Sequence, residues 1–167
     1  MAVGPSKDDL SIDAIYVTMT EFTERFPIIF PFGGNFPFFG VPVLETAIKV
    51  VSSTDGGQTW SESTTASPVV RRIFASGGSS EEDLDEEAGS KKLQAAPSNA
   101  IGTQRVLQGS QPAVDGDGSV YVTWLDSTDD DSMEGLAENY IARSDDGGKT
   151  FGEPVRASVF NEPGFLP

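Results

Sequence analysis

The chain alternates between short apolar runs and polar, turn-forming segments, a pattern typical of β-strands joined by loops. The predicted strands cover residues 13–22, 46–53, 60–67, 111–114, 119–125, 139–144 and 150–158. Residues 69–74 either extend the third of these strands or follow it. The pattern therefore predicts an all-β fold.

Segments of different composition interrupt the strands. Residues 22–45 contain seven of the eleven phenylalanines and several prolines, which strand interiors disfavour, so they are predicted to form an ordered loop with apolar anchors. Residues 76–100 and 126–138 are acidic and lack apolar periodicity, which predicts solvated loops. Residues 1–11 are polar and are predicted to be a loose end.

One short motif, Ser-x-Asp-Gly-Gly-x-Thr-aromatic, occurs at residues 53–60 and again at 144–151. An Asp carboxylate accepts hydrogen bonds from backbone N–H groups a few residues further on, and Gly supplies the positive φ that other residues avoid. The Thr and the aromatic residue can then begin a returning strand, with the ring free to bury against a neighbour. The motif predicts two hairpin turns.

The surroundings of the two motifs are also similar. The run IYVTMTE from Ile15 matches VYVTWLD from Val120, and the runs from Trp60 and Phe151 both end in Ala-Ser. The chain is therefore predicted to contain an internal repeat. Met19 and Trp124 lie at matching strand centres, where the core between the two repeats is expected.

The repeated motif resembles the Asp-box, or BNR repeat, of the sialidase superfamily and other β-propellers. The matching residues are Ser53, Asp55, Gly57, Thr59, Trp60, Ser144, Asp146, Gly148, Thr150 and Phe151. The resemblance implies two four-stranded antiparallel blades of a sialidase-like propeller, with the boxes as structural turns remote from the active site.

The implied organisation is blade 1 at residues 1–75, including the Phe-rich loop, a mobile acidic insertion at 76–104, and blade 2 at 105–167. Closed propellers have about four to eight blades. Two blades alone would leave apolar sheet surface exposed, so the chain is expected to be part of a larger propeller or to complete one by self-association.

Composition narrows the possible partners. The net charge of −15 argues against nucleic acid and anionic membrane surfaces. Because the chain lacks Cys and His, thiol chemistry and His-based catalysis are excluded. No apolar run is long enough to span a membrane. The resemblance implies an extracellular or periplasmic protein, and the polar start of the chain then suggests a mature or excised segment.

Antiparallel connectivity places the Phe-rich loop and both acidic segments at the end of the blades opposite the turns, where binding is expected. Phe32, Phe36, Phe38 and Phe39 are predicted to contact a carbohydrate or protein partner, or alternatively to cover the blade. Asp126, Asp129, Asp131 and Glu134 could ligate Ca²⁺, although the spacing does not fit an EF-hand and a solvated loop is favoured. No cofactor is required.

The resemblance also raises the question of glycoside hydrolysis. Sialidase catalysis, as the family implies, needs three arginines, a Tyr–Glu nucleophile pair and an Asp acid/base, and the family's Arg-Ile-Pro signature is absent here. No catalytic residue is assigned. The predicted function is binding or assembly on the face opposite the boxes, and the alternative is a segment of a sialidase-like hydrolase whose catalytic residues lie mostly outside the chain.

Overall fold

A computed structural model describes residues 1–26, 28–29, 38–39, 42–73, 106–127 and 134–163. These ranges contain strands and no helix, so the all-β prediction is confirmed, and no helix in them could cross a membrane. The strands are β1 (Ala2–Pro5), β2 (Asp13–Arg25), β3 (Ile28–Ile29), β4 (Phe38–Phe39), β5 (Val43–Ser53), β6 (Thr64–Thr65), β7 (Val70–Ile73), β8 (Leu107–Val114), β9 (Val120–Asp126), β10 (Glu134–Ser144) and β11 (Val155–Pro163).

The strands form two larger antiparallel sheets and one short hairpin. Sheet 1 has the order β1-β2-β5-β6, and β7 pairs with β5 further along the same edge. Sheet 2 has the order β8-β9-β10-β11. Among the described strands, β3 and β4 pair with each other and with no third strand. Sequential antiparallel neighbours of this kind need only short turns or local loops to connect them.

The first residues of the chain are not a loose end, contrary to the prediction. Strand β1 pairs with the start of β2, so that Ala2 lies opposite Tyr16 and Gly4 lies opposite Ala14. The edge of β2 offers unpaired backbone groups, and the backbone of β1 satisfies them whatever side chains it carries. A Cβ on Gly4 would lie 2.7 Å from Val114 Cβ, so the glycine also permits close approach of sheet 2.

The prediction of a single loop over 22–45 is wrong at both ends. The ladder between β2 and β5 continues from the Ile15–Ser53 pair to the Arg25–Val43 pair. The prolines of this region lie outside that ladder, so they do not remove hydrogen bonds from it. Backbone pairing thus continues past the point where the apolar alternation of the sequence stops.

Other strand limits also differ from the predictions. In place of a return strand over 60–67 the structure has only β6, while β7 confirms the separate strand near 69–74. Strands β8 and β10 begin earlier than expected, and β11 begins and ends later. Five residues predicted as acidic loop, 134–138, therefore belong to β10, where pairing with β9 or β11 stabilises them.

The two larger sheets have the same register relative to the repeated turns. Ile15 pairs with Ser53 in sheet 1, and Val120 pairs with Ser144 in sheet 2. The inner strands match as well, because Val3 lies opposite Ile15 as Val114 lies opposite Val120. The two sheets therefore repeat the same order of four strands, with the same register relative to the turns.

The sheets pack face to face, and they use opposite faces. In sheet 1 the buried side chains of β2 are Ala14 and Tyr16, whereas in sheet 2 the buried positions of β9 start at Val120 and alternate from there. Trp124 is 2% exposed, as predicted, but its equivalent Met19 is 42% exposed, so the prediction for Met19 is wrong. Met19 lies on the face of sheet 1 that points away from sheet 2.

Contacts between the sheets run along the inner strand β8. The Thr18 hydroxyl donates to the Ser110 carbonyl at 3.2 Å, and the Leu107 N–H donates to Thr46 Oγ1 at 3.2 Å. The shared core consists of Ala14, Tyr16, Ile48, Val50, Ala66, Val70, Leu107, Val120, Val122, Trp124 and Ala142. Burial of these apolar side chains holds the two sheets together.

Candidate functional site

The first turn, residues 53–60, is held by side chains two to four positions apart. The Ser53 hydroxyl donates to Asp55 Oδ1 at 2.8 Å and accepts from the Gly57 N–H at 2.9 Å. Asp55 Oδ1 also accepts from the N–H groups of Gln58 and Thr59, both at 2.9 Å. The Thr59 hydroxyl donates to Asp55 Oδ2 at 2.6 Å.

The second turn, residues 144–151, repeats this arrangement. The Ser144 hydroxyl donates to Asp146 Oδ1 at 2.7 Å, and the Gly148 N–H donates to Ser144 Oγ at 2.8 Å. Asp146 accepts the same three further hydrogen bonds, from the Lys149 N–H and from the N–H and hydroxyl of Thr150. Gly56 and Gly147 both have a φ of 74°. The two predicted hairpin turns therefore share one hydrogen-bond pattern.

These hydrogen bonds occupy the carboxylates of the turns. Donation from Thr59 and Ser53 holds the pKa of Asp55 well below its usual range. Burial raises the pKa of Asp146, but donation from Thr150, Ser144 and Lys149 outweighs it and lowers this pKa to about 2. Both aspartates stabilise the turns as carboxylates, which is a structural role.

The aromatic residues that end the turns differ in burial. The Phe151 ring packs against the core between the sheets, whereas Trp60 is 45% exposed. Phe151 also lines a cleft of about 290 Å³ together with Ala66, Ser67 and Pro68, which connect β6 to β7. Phe151 thus has a neighbouring sheet to pack against, and Trp60 has none among the described residues.

The end of the sheets opposite the turns, called the rim below, is where the long connections leave the strands. Strand β2 ends there at Arg25, β7 at Ile73 and β9 at Asp126. The topology therefore places the ends of all three unusual segments on one side, as the connectivity argument predicted. Phe32 and Phe36 lie outside the described residues, and Phe38 and Phe39 form β4.

Sheet 2 carries a group of polar side chains at the rim, called the rim cluster: Asp126, Glu138, Tyr140 and Arg156. The Tyr140 hydroxyl donates to Glu138 Oε2 and Arg156 Nη1 donates to Glu138 Oε1, both at 2.7 Å. Asp126 is the cross-strand partner of Glu138. Both carboxylates are buried, while the Arg156 side chain is largely exposed.

The packing around the rim cluster restricts its side chains. Trp124 stacks on Tyr140 with ring centroids 6.2 Å apart and an interplanar angle of 16°. Trp124 Nε1 is the one buried side-chain nitrogen or oxygen without a hydrogen-bond partner in the part of the chain that the structure describes. The hydrogen bond from Arg156 to Glu138, together with their opposite charges, raises the pKa of Arg156. The cluster therefore presents a fixed cation beside shielded carboxylates.

Sheet 1 has a different charged group at its rim. Glu45 accepts from Arg25 Nε at 2.7 Å and from Arg71 Nε at 2.8 Å. These hydrogen bonds hold the pKa of Glu45 below its usual value. Glu45 is thus paired with two arginines on the face that points away from sheet 2.

The predicted calcium ligands are only partly described. Asp126 is buried on the face of β9 that carries Trp124, and Glu134 begins β10. Asp129 and Asp131 lie outside the described residues. Within the described ranges, no three acidic side chains come together as a metal site would require.

The sequence predictions missed Glu138, Tyr140 and Arg156. The charge of residues 126–138 predicts a loop, and this prediction conceals the alternation of Glu138, Tyr140 and Ala142 along one strand face. That alternation is the signal that could have found the cluster. The pairing of Glu138 with Arg156 depends on the β10–β11 register, which the sequence does not show.

The similarity of the chain to known proteins is structural. No protein-family model matches the chain. No curated protein matches it either. Among solved structures, the chain is similar to "Hadza microbial sialidase Hz136", with a TM-score of 0.40 and 22% identity, over 70% of this chain and 23% of that one. The chain therefore spans less than a quarter of the length of that sialidase.

Proposed function

We propose that the chain is a two-blade Asp-box segment of a sialidase-type β-propeller, located outside the cell or in the periplasm, that binds a ligand at the rim. In this proposal, residues 1–75 and 105–167 are the blades and 76–104 is an insertion between them. The observation that carries the proposal is the placement of two equivalently hydrogen-bonded turns at one end and the rim cluster at the other. Loops on the far side of a rigid scaffold commonly carry binding.

The rim cluster indicates which ligands would suit it. Glu138 is held by Tyr140 and Arg156, and the exposed part of Arg156 can donate further hydrogen bonds. The chain as a whole carries a charge of −15, which disfavours anionic ligands. A neutral glycan, whose hydroxyls both donate and accept, or a basic protein segment fits this chemistry best.

The experiment is a screen of neutral and sialylated glycans on an array, followed by calorimetric titration of the hits. We expect a neutral glycan to bind, and Tyr140→Phe, which removes only the hydroxyl that orients Glu138, to weaken binding by about tenfold. Asn139→Ala is the matched control, because Asn139 lies on the opposite face of the same strand and donates to Ser158. Equal loss in both variants contradicts a role for the rim cluster, and no glycan binding by the wild type contradicts the glycan proposal and leaves the basic protein segment as the ligand.

A second candidate is a segment of a sialidase-like glycoside hydrolase. The observation that favours it is the 2.7 Å hydrogen bond between Tyr140 and Glu138, the residue types that the resemblance implies for the nucleophile pair. The test is hydrolysis of a fluorogenic sialoside by the purified chain. Turnover that Tyr140→Phe abolishes and Asn139→Ala preserves would favour this candidate. No turnover is the result expected for a segment that binds.

A further inference from the structure

Among the described residues, each larger sheet has one face buried against the other sheet and one open face. Because equivalent strands bury opposite faces, the open face of sheet 1 corresponds in register to the buried face of sheet 2. The open face of sheet 2 likewise corresponds to the buried face of sheet 1. The two open faces therefore have the same register relationship to each other as the two faces that pack together within the chain.

The open face of sheet 1 carries apolar side chains near its turn end. Val3 is 57% exposed and Met19 is 42% exposed on this face. Ile15, Val17 and Val51 lie between them and are half-buried. Toward the rim the face carries the ion pair between Lys49 and Glu21 and the Glu45 pairs described above. An apolar area with a charged margin is typical of a contact surface.

The open face of sheet 2 is also partly apolar. Val155 is 64% exposed and pairs with Ile141, and Phe160 is exposed as well. Arg143 lies over the Tyr121 ring, 5.5 Å from its centroid. A shallow groove of about 350 Å³ crosses the face between Gly109, Leu125 and Ser158.

The exposure of Trp60 points independently to a packing partner on the open face of sheet 1. In the second turn, the equivalent Phe151 packs into the core between the sheets, on the face that sheet 2 buries. The corresponding side of sheet 1 is its open face. A sheet docked there would cover Trp60 as sheet 1 covers Phe151.

We propose that a second copy of the chain docks its sheet 2 open face onto the sheet 1 open face of the first, head to tail, and covers Trp60. The occupant is a second copy because the required partner surface, the open face of sheet 2, is present on the same chain. This inference rests on the proposal that the sheets are sister blades, and it does not depend on ligand binding at the rim. Head-to-tail contacts close into rings or continue as fibres, and about four to eight blades correspond to about two to four copies.

The association is measured by light scattering and analytical ultracentrifugation without ligand, from about 1 µM to about 200 µM protein at about 0.15 M salt. We expect a discrete species of two to four copies. Quenching of tryptophan fluorescence by acrylamide should fall as it forms, because Trp124 is already buried and only Trp60 changes exposure.

Three charge substitutions locate the interface. Trp60→Lys alters the sheet 1 side, and Val155→Lys alters the open face of sheet 2. Leu10→Lys is the control, since Leu10 is 57% exposed in the loop between β1 and β2. We expect both face variants to be folded monomers by circular dichroism, and the control to associate like the wild type. Mixing the two face variants should give a heterodimer through the one unaltered pair of faces.

A monomer at every concentration, with Trp60 quenched throughout, would overturn the inference and leave the open faces to further blades or another protein. Dissociation by Trp60→Lys but not by Val155→Lys would also overturn the inference. That result requires the sheet 1 open faces of two copies to pair with each other. Association that persists in a chain without glycan binding supports the docking inference and separates it from the rim proposal.

Discussion

Lys149 Nζ donates hydrogen bonds to both carboxylate oxygens of Asp8, at 2.8 Å and 2.9 Å, although the two residues lie at opposite ends of the chain. This pairing with Asp8 raises the pKa of Lys149. A second ion pair joins Lys7 to Asp117 at 3.5 Å. The loop between β1 and β2 therefore lies across the turn end of sheet 2 and links it to sheet 1.

Close packing should contribute more to this link than the exposed ion pair, whose value is reduced by solvent screening. A Cβ on Gly147 would lie 3.0 Å from Lys7 Cβ, whereas a Cβ on Gly56 would meet nothing within 4 Å. Both glycines have a φ of 74°, so Ala at either site costs about 1–2 kcal/mol of folding free energy from the backbone.

We therefore expect Gly147→Ala to lower the free energy of unfolding by about 1 kcal/mol more than Gly56→Ala does, because only Gly147 faces the loop. Urea unfolding of the two variants and the wild type measures this difference. Equal losses would show that the loop does not pack on the second turn in solution.

The pKa of Asp146 predicts how stability depends on pH. Its folded-state value of about 2 lies below the ordinary 3.8, so the carboxylate favours folding above pH 4, and this contribution is lost as the pH falls toward 2. Asp146→Asn should lower the melting temperature at pH 7 and make its fall between pH 4.5 and about 2 less steep.

Ser144→Ala is the control for that experiment, since it keeps the carboxylate and removes one hydrogen-bond donor. It should retain most of the wild-type dependence on pH. If Asp146→Asn shows the same slope as the wild type, the carboxylate is not held as the structure describes.

Trp124 and Met19 form a matched pair for testing which faces the sheets bury. Trp124→Ala is expected to cost about 3–5 kcal/mol, because it removes a buried ring that stacks on Tyr140. Met19→Ala at the equivalent position should cost less than about 1 kcal/mol in dilute protein, where the open face is solvated. Chemical denaturation measures both values. Similar costs would mean that Met19 is buried in the monomer.

The calcium prediction for residues 126–134 is tested by thermal melting. Asp126 is buried beside Glu138, which leaves the segment without one of its four predicted ligands on the solvent side. We expect millimolar calcium to raise the melting temperature no more than the same concentration of magnesium. A calcium-specific rise that Asp129→Asn removes would establish a site and contradict this expectation.

Strand positions were predictable where local pattern and pairing agree. The starts of β2 and β9 at Asp13 and Val120 follow the alternation in the sequence. The continuation of β2 to Arg25 and of β10 back to Glu134 does not, because those residues lack a regular apolar alternation and owe their conformation to backbone pairing with a neighbouring strand. The rim cluster was missed for the same reason, since Arg156 reaches Glu138 only through that pairing.

The two turns were determined by the sequence alone. Each Asp reaches donors no more than four residues away, and glycine is the residue that adopts the required φ at low cost, so eight residues suffice to specify the conformation. Only the tertiary structure decided which face of each sheet is buried. Alternation marks the two faces of a strand, but burial depends on which sheet lies against it, and so Trp124 is covered while Met19, at the matching position, is not.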